Sequence, residues 1–222
     1  MKGLLIKDMR LTMKNYRMLI MFLCLAAFFV FSSTGVEFAI AYIMMFLGMS
    51  VMTTISFDEV DHSNAFLMTL PVTRKIYVRE KYVFAGVCFL IGLVIGDVFG
   101  LLAQFIRPSG DFSLEFMIGS LATFIIYWNL VAIMIPIQLK FGGDNGRLVT
   151  IAIAAVLAAA IIGSMKLVEL LSIDTQGIVN QLMIKVKETN GMILIIPIAI
   201  ITIIVTASTM AIALKIMKKK QF

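Results

Sequence analysis

Side chains able to perform chemistry are few in this chain. One histidine, His62, and two cysteines, Cys24 and Cys88, are its whole supply of imidazole and thiol. A zinc centre needs several such ligands at close spacing, and no C-x-x-C run supplies them. Both cysteines stand inside apolar runs, where a thiol behaves as a small hydrophobe. A nucleotide site needs a glycine-rich loop ending in Lys-Ser/Thr, whose amides and ammonium hold phosphates. The nearest stretch, Gly142-Gly143-Asp144-Asn145-Gly146-Arg147, lacks that ending and reads as a turn. Neither G-x-S-x-G nor H-E-x-x-H occurs. No catalytic residue, cofactor-binding residue or metal ligand is therefore expected, and any energy the protein uses must come from elsewhere.

Three other features rise above the background. Asp58, Glu59 and Asp61 form an acidic group, followed by Phe66, Leu67 and Met68. Gly92, Gly96 and Gly100 repeat every fourth residue, a small-residue stripe on which another helix can pack closely. Asp97 stands alone in an apolar run, where a carboxylate costs about 2.5–3.5 kcal/mol on insertion scales unless it meets water or a partner. Two readings of Asp97 stay open: it lines a cavity, or it lies near the outer interface or protonated within a bundle.

The elements that must position these residues follow from composition. Of 222 residues, 61% are hydrophobic and only 14% charged, and the mean hydropathy is +1.02. A surface with so few charges stays solvated only if lipid replaces water over much of it, which excludes a soluble domain and a disordered chain alike. Charge-free intervals mark six spans, at 18–36, 38–57, 82–106 (holding Asp97), 116–139, 148–165 and 189–214. The shortest, 18 residues, still reaches across most of the ~30 Å hydrocarbon layer as a helix. The absence of period-two alternation favours helices over barrel strands. The expected fold is an all-α integral membrane protein, residues 1–222 forming a single transmembrane domain of six helices.

Fifteen of the nineteen basic residues fall in the N-terminal segment, in 58–81, in 140–147 and in the C-terminal tail. The remaining four are Arg107, Lys166, Lys185 and Lys187. That asymmetry places both termini in the cytoplasm. The net charge of +6 then reflects topology and contact with anionic membrane lipids, and nucleic acid is not an expected partner. The charged, apolar-patterned segment before the first span, with no A-x-A-like site after it, argues against a cleavable signal peptide.

Between the spans, residues 1–17 carry apolar and basic residues at near-helical spacing. They read as an amphipathic interfacial helix, or as a membrane-anchoring flank with no further role. In the cytoplasmic loop 58–81, the acidic group stands where a short helix would begin, Pro71 breaks it, and Thr73 can cap a second helix leading into the third span. This loop either docks onto something in the cytoplasm or folds against the membrane surface. The outer loop 166–188 suits one or two short helices. Pro136 and Pro197 are expected to kink the fourth and sixth spans. Ala154, Ala155, Ala158 and Ala159 form a second small-residue face. The seventeen methionines and seventeen phenylalanines fit lipid-facing filler or an adaptable surface for irregular apolar ligands.

The whole pattern resembles the ABC-2 type transporter permeases, and the loop carries the resemblance. FDEVDHSNAFLMTLPVTRKIYVREKYVFAG is similar to that family's acidic start, small-residue helix, Leu-Pro-Val/Ile-Ser/Thr-Arg and following lysine. The compact length looks most like the Firmicutes branch that includes permeases exporting phenol-soluble modulins, which are amphipathic cytolytic peptides. The resemblance implies a multi-pass protein of the bacterial cytoplasmic membrane, working as a homodimer or with a paralogue. Two cytoplasmic ABC ATPase subunits would hold the ATP and Mg2+. The loop helix would be the coupling helix, with Asp58, Glu59, Asp61, Phe66, Leu67 and Met68 as contacts to the ATPase. The expected function is export of amphipathic or hydrophobic substrates, above all peptides. The rivals are an integral-membrane enzyme acting on a lipid-soluble substrate, for which Asp97, Gln104, Asn129 and Gln138 are nearly all the spans offer, and a membrane immunity protein that binds a toxin without pumping it.

Overall fold

A computed structural model describes residues 2–31, 35–59, 73–106, 114–142, 146, 148–149, 152, 155 and 191–219. Six helices hold most of these residues: α1 (Lys2–Lys14), α2 (Tyr16–Phe31), α3 (Val36–Glu59), α4 (Arg74–Ile106), α5 (Leu114–Phe141) and α6 (Gly191–Lys219). Unbroken apolar runs adopt this form because a helix satisfies its own backbone polar groups where no water can. Within α3 to α6, the stretches Val36–Asp58, Arg74–Ala103, Phe116–Phe141 and Pro197–Lys219 are each long and apolar enough to cross a membrane. The axes of α1 and α2 turn by 68° at Asn15, so the chain makes an elbow before α2 enters the bundle. The expected fifth span, 148–165, lies outside the described residues apart from Leu148, Val149, Ala152 and Ala155, as does the whole outer loop 166–188.

The helices run past the charge-free intervals that signalled them, most clearly in α4, whose first two turns carry Arg74, Lys75, Arg79, Glu80 and Lys81. Charges end the apolar signal without ending the helix. Thr73 caps α4, its Oγ1 accepting from the Ile76 amide at 3.3 Å. α5 closes on Gly142, whose φ of 85° is the left-handed conformation glycine adopts without strain. The Gly142 amide donates to the Gln138 carbonyl at 2.9 Å, satisfying one of the carbonyls that a helix end leaves free. Pro136 and Pro197 both lie inside continuous helices.

One local expectation is corrected. Asp58 and Glu59 do not open a helix; they are the last two residues of α3. Acidic side chains at a C-terminus oppose the helix dipole, and for Asp58 that cost is offset by the cations described below.

α4 is the central element, packed on α3, α5 and α6 and touched by α1. Its glycine stripe makes the approach possible. A Cβ on Gly96 would stand 2.9 Å from Ile40 Cγ1, while Gly92 lies under Leu47 and Gly100 under the Phe116 ring. All three glycines are therefore covered by neighbouring helices of the same chain. Aromatic contacts add detail: Phe22 of α2 stacks on Phe46 of α3 at 3.9 Å, and Phe89 of α4 meets Trp128 of α5 edge-on at 6.3 Å. α6 is fixed to α5 by side-chain hydrogen bonds, Trp128 Nε1 to Thr206 Oγ1 and Asn129 Nδ2 to Thr202 Oγ1, both 2.9 Å. Val94, Val98, Ile126, Ile203 and Ile204 point outward, as lipid contact requires.

Candidate functional site: a buried ring of charges beside the acidic loop

At the basic end of the bundle, where α3 stops and α4 starts, two cations and two anions close a ring. Lys81 of α4 pairs with Asp8 of α1 and, at 2.8 Å, with Asp58 of α3. Lys7 of α1 pairs with the same Asp58 and, at 3.2 Å, with Asp8. The Tyr77 hydroxyl donates to Asp58 Oδ2 at 2.9 Å, and the Lys81 ammonium lies 3.4 Å from Thr54 Oγ1 and 5.3 Å from the Tyr77 ring centroid. Asp8, Asp58, Tyr77 and Lys81 are all buried, at 0%, 4%, 0% and 0% exposure.

Each partner is delivered by its element's periodicity. On α1, Leu4 and Asp8 share the buried face while Ile6, Arg10 and Met13 face outward. On α4, Tyr77 and Lys81 are one turn apart, and Asp58 descends to them from the last turn of α3. Lys7 is half-buried. Burial disfavours its ammonium, yet Asp58 and Asp8 outweigh that cost and hold its pKa above the usual lysine value. Its charge is therefore constant through the neutral range.

A second anchor flanks the same region. Arg74, the first residue of α4, donates through Nη1 to the carbonyls of Met217 and Lys218 at 3.0 and 2.9 Å. A cation thus caps the C-terminus of α6, where the dipole favours it. Of the chain between α3 and α4, the near flank is tied to α1 by the ring and the far flank to α6 by Arg74.

Of the residues singled out from sequence, Asp58 is placed inside this ring, its carboxylate directed at partners in its own chain. Glu59 ends α3; Asp61, Phe66, Leu67 and Met68 lie outside the described residues. Asp97 keeps one buried carboxylate oxygen without a hydrogen-bond partner among the described residues, and it does not line the two cavities described next.

Two grooves share Met49 and Thr53 of α3. The larger, about 570 Å³, runs between α3 and α5 and is lined by Met45, Met49, Met52, Met134 and Tyr127, with Gln138 near one end. Gln138 is held by its bond to Ser56 Oγ at 2.8 Å. The smaller, about 320 Å³, lies in the elbow of α1 and α2 against α3.

Nothing in the apolar periodicity singles out Asp8, Tyr77 or Glu80. One available signal is that Asp8 is the only acidic residue among the five basic ones of residues 1–17, spaced four residues after Leu4 on the face that α1 buries.

A multi-pass membrane protein, helical throughout its described elements and with a buried ionic joint at one end, is the class these observations define. A family model described as "ABC-2 family transporter protein" matches residues 3–218, and the chain belongs to that family of membrane transporters. No curated protein and no solved structure matches it.

Proposed function

We propose that the chain is the permease subunit of an ABC exporter, moving amphipathic or hydrophobic substrates, above all peptides, out of a bacterial cell through the cytoplasmic membrane. It works as a pair of permease chains, two copies or a copy and a paralogue, with both termini and the 60–72 segment on the cytoplasmic side. Two cytoplasmic ABC ATPase subunits bind and hydrolyse ATP with Mg2+. Glu59, Asp61, Phe66, Leu67 and Met68 form the docking surface for the ATPase, while Asp58 serves the ring behind it.

The ring is the observation that carries this reading. A transporter without its own energy source needs a rigid connection between the place that is pushed and the helices that move. Ionic groups this buried are costly to assemble, and their best-attested return is a defined register between elements. Here they lock the interfacial helix, α3 and α4 together beside the loop that would receive the push, and Arg74 extends the linkage to α6. The methionine-lined groove supports the substrate class, since flexible thioethers adapt to irregular apolar surfaces, and its volume falls within the usual range of ligand pockets.

The test begins with affinity purification of the tagged full-length chain from its host in mild detergent. An ABC ATPase is expected to co-purify, and the Phe66→Asp, Leu67→Asp double variant should lose it while keeping the wild-type thermal unfolding profile. In proteoliposomes, an amphipathic helical peptide should stimulate ATP hydrolysis by the complex. Co-purification unchanged by the double variant overturns the docking assignment, and failure of any ATPase to co-purify overturns the exporter reading in favour of the immunity or enzyme alternatives.

A further inference from the structure

The ring leaves one group over. Glu80 is the residue before Lys81 on α4 and is 1% exposed. Both of its carboxylate oxygens are buried, and neither has a hydrogen-bond partner among the described residues. Its one ion contact is the Lys81 ammonium at 4.0 Å, beyond hydrogen-bond reach, and that ammonium is already engaged by Asp8 and Asp58. Among the described residues, the titratable and charged groups acting on Glu80 include Lys81 and Tyr77 on its own helix, Asp8 and Lys7 from α1, and Asp58 from α3. Arg79, the residue before it, faces outward and is exposed, and Arg74, six positions earlier, donates to carbonyls of α6.

Glu80 has no ammonium to itself among the described residues. Among the described residues, three carboxylates, Asp8, Asp58 and Glu80, share the buried site with two ammoniums, Lys7 and Lys81. Asp8 and Asp58 each touch both ammoniums, so neither is left over for Glu80, and an ionised Glu80 is a buried negative charge with no donor to solvate it among the described residues. Isolating an ionised carboxylate in this way is among the most expensive arrangements a protein can hold. Among the described residues no group of three or more carboxylate, thiol or imidazole side chains has the geometry to hold a metal ion. A proton on Glu80 removes that buried charge with no change in coordinates.

We propose that Glu80 is a proton-binding site: the carboxyl is carried as the neutral acid while the Lys7–Asp8–Asp58–Lys81 ring is closed, and releases its proton when the ring opens. Ionised, Glu80 competes with Asp8 and Asp58 for Lys81 and loosens the hold of α1 on α4. Proton release and disengagement of the interfacial helix are then two sides of one equilibrium, and each favours the other by the same factor. This inference does not depend on what is exported or on which ATPase binds.

The test uses the full-length chain in lipid nanodiscs. Infrared spectra of protein labelled with 13C at the glutamate carboxyl should show a protonated carboxylic-acid band at neutral pH that disappears at alkaline pH and is missing in Glu80→Gln. Glutamine has nearly the same shape and mimics the protonated form, so the variant should fold. Because the folded state binds a proton that the unfolded chain has already released, stability is greatest at acid pH and falls as pH rises through the ionisation of Glu80. The wild-type Tm should drop by roughly 3–5 °C per pH unit across that window, and the Glu80→Gln curve should lack this drop. A glutamate spectrum with no acid band at neutral pH overturns the proposal, whether or not the variant folds. Parallel Tm profiles of wild type and Glu80→Gln overturn it independently.

Discussion

Replacing Lys81 with methionine removes the ammonium that holds Asp8 and Asp58 and keeps an unbranched chain of similar length. The two carboxylates, at 0% and 4% exposure, then keep Lys7 as their one cation among the described residues. Breaking a buried pair by deleting one partner costs about 3–5 kcal/mol, mostly because the remaining charge is stranded. At about 2–4 °C per kcal/mol for a chain of this size, the Tm of Lys81→Met should fall by roughly 6–20 °C. Asp8→Asn alone should also destabilise, because it strands Lys81 with half its partners. The double variant is the informative one. It leaves Lys7 balanced by Asp58, so part of the single-variant loss should return, with a coupling energy of about 2 kcal/mol within the range measured for residues in direct contact. Thermal unfolding of the four proteins in the same nanodiscs closes the cycle. If the two losses add to within about 0.5 kcal/mol, the charges are solvated and screened, and the ring is not the joint described.

Other predictions follow from the anchors and the packing. Arg74→Ala removes the donor to the Met217 and Lys218 carbonyls; amide exchange should quicken over the last turn of α6, with a stability loss of only about 1–2 kcal/mol. Gly96→Leu drives a side chain into Ile40, where even a Cβ would stand at 2.9 Å, and should cost about 1–3 kcal/mol in thermal unfolding. Trp128→Phe deletes the bond to Thr206 and should cost only about 0.6 kcal/mol plus some lost packing, as interhelical hydrogen bonds in membranes usually do.

How legible the fold was depended on the kind of signal. Apolar runs name their helices directly, because the membrane penalises charge at every depth: α3, α4, α5 and α6 each contain one of the charge-free intervals almost whole. Thr73 was readable as a cap for a local reason, since the bond closes within three residues. The ring was not. Lys7 meets Asp58 across 51 positions and Lys81 meets Asp8 across 73, and no periodicity links residues so far apart. A carboxylate among lysines reads as one more solvated charge until the helix is known to turn that face inward. Asp58 shows the same limit from the other side: its sequence neighbours suggested a helix start, and only contacts from α1 and α4 explain why it ends one.

On the proposed coupling to an ATPase, placement of the two anchors constrains how a push between α3 and α4 would spread. The near flank transmits through Asp58, which touches Lys7 of α1 and Lys81 of α4 together, so α1 cannot move away without breaking ion pairs in a buried, low-dielectric site. The far flank transmits through Arg74 to the end of α6, by hydrogen bonds that are partly exposed and therefore cheaper to break. The two routes differ in stiffness. A displacement would carry α1 and the elbow to α2 as one body with α3 and α4, while α6, lipid-exposed and held to α5 through Trp128 and Asn129, can lag.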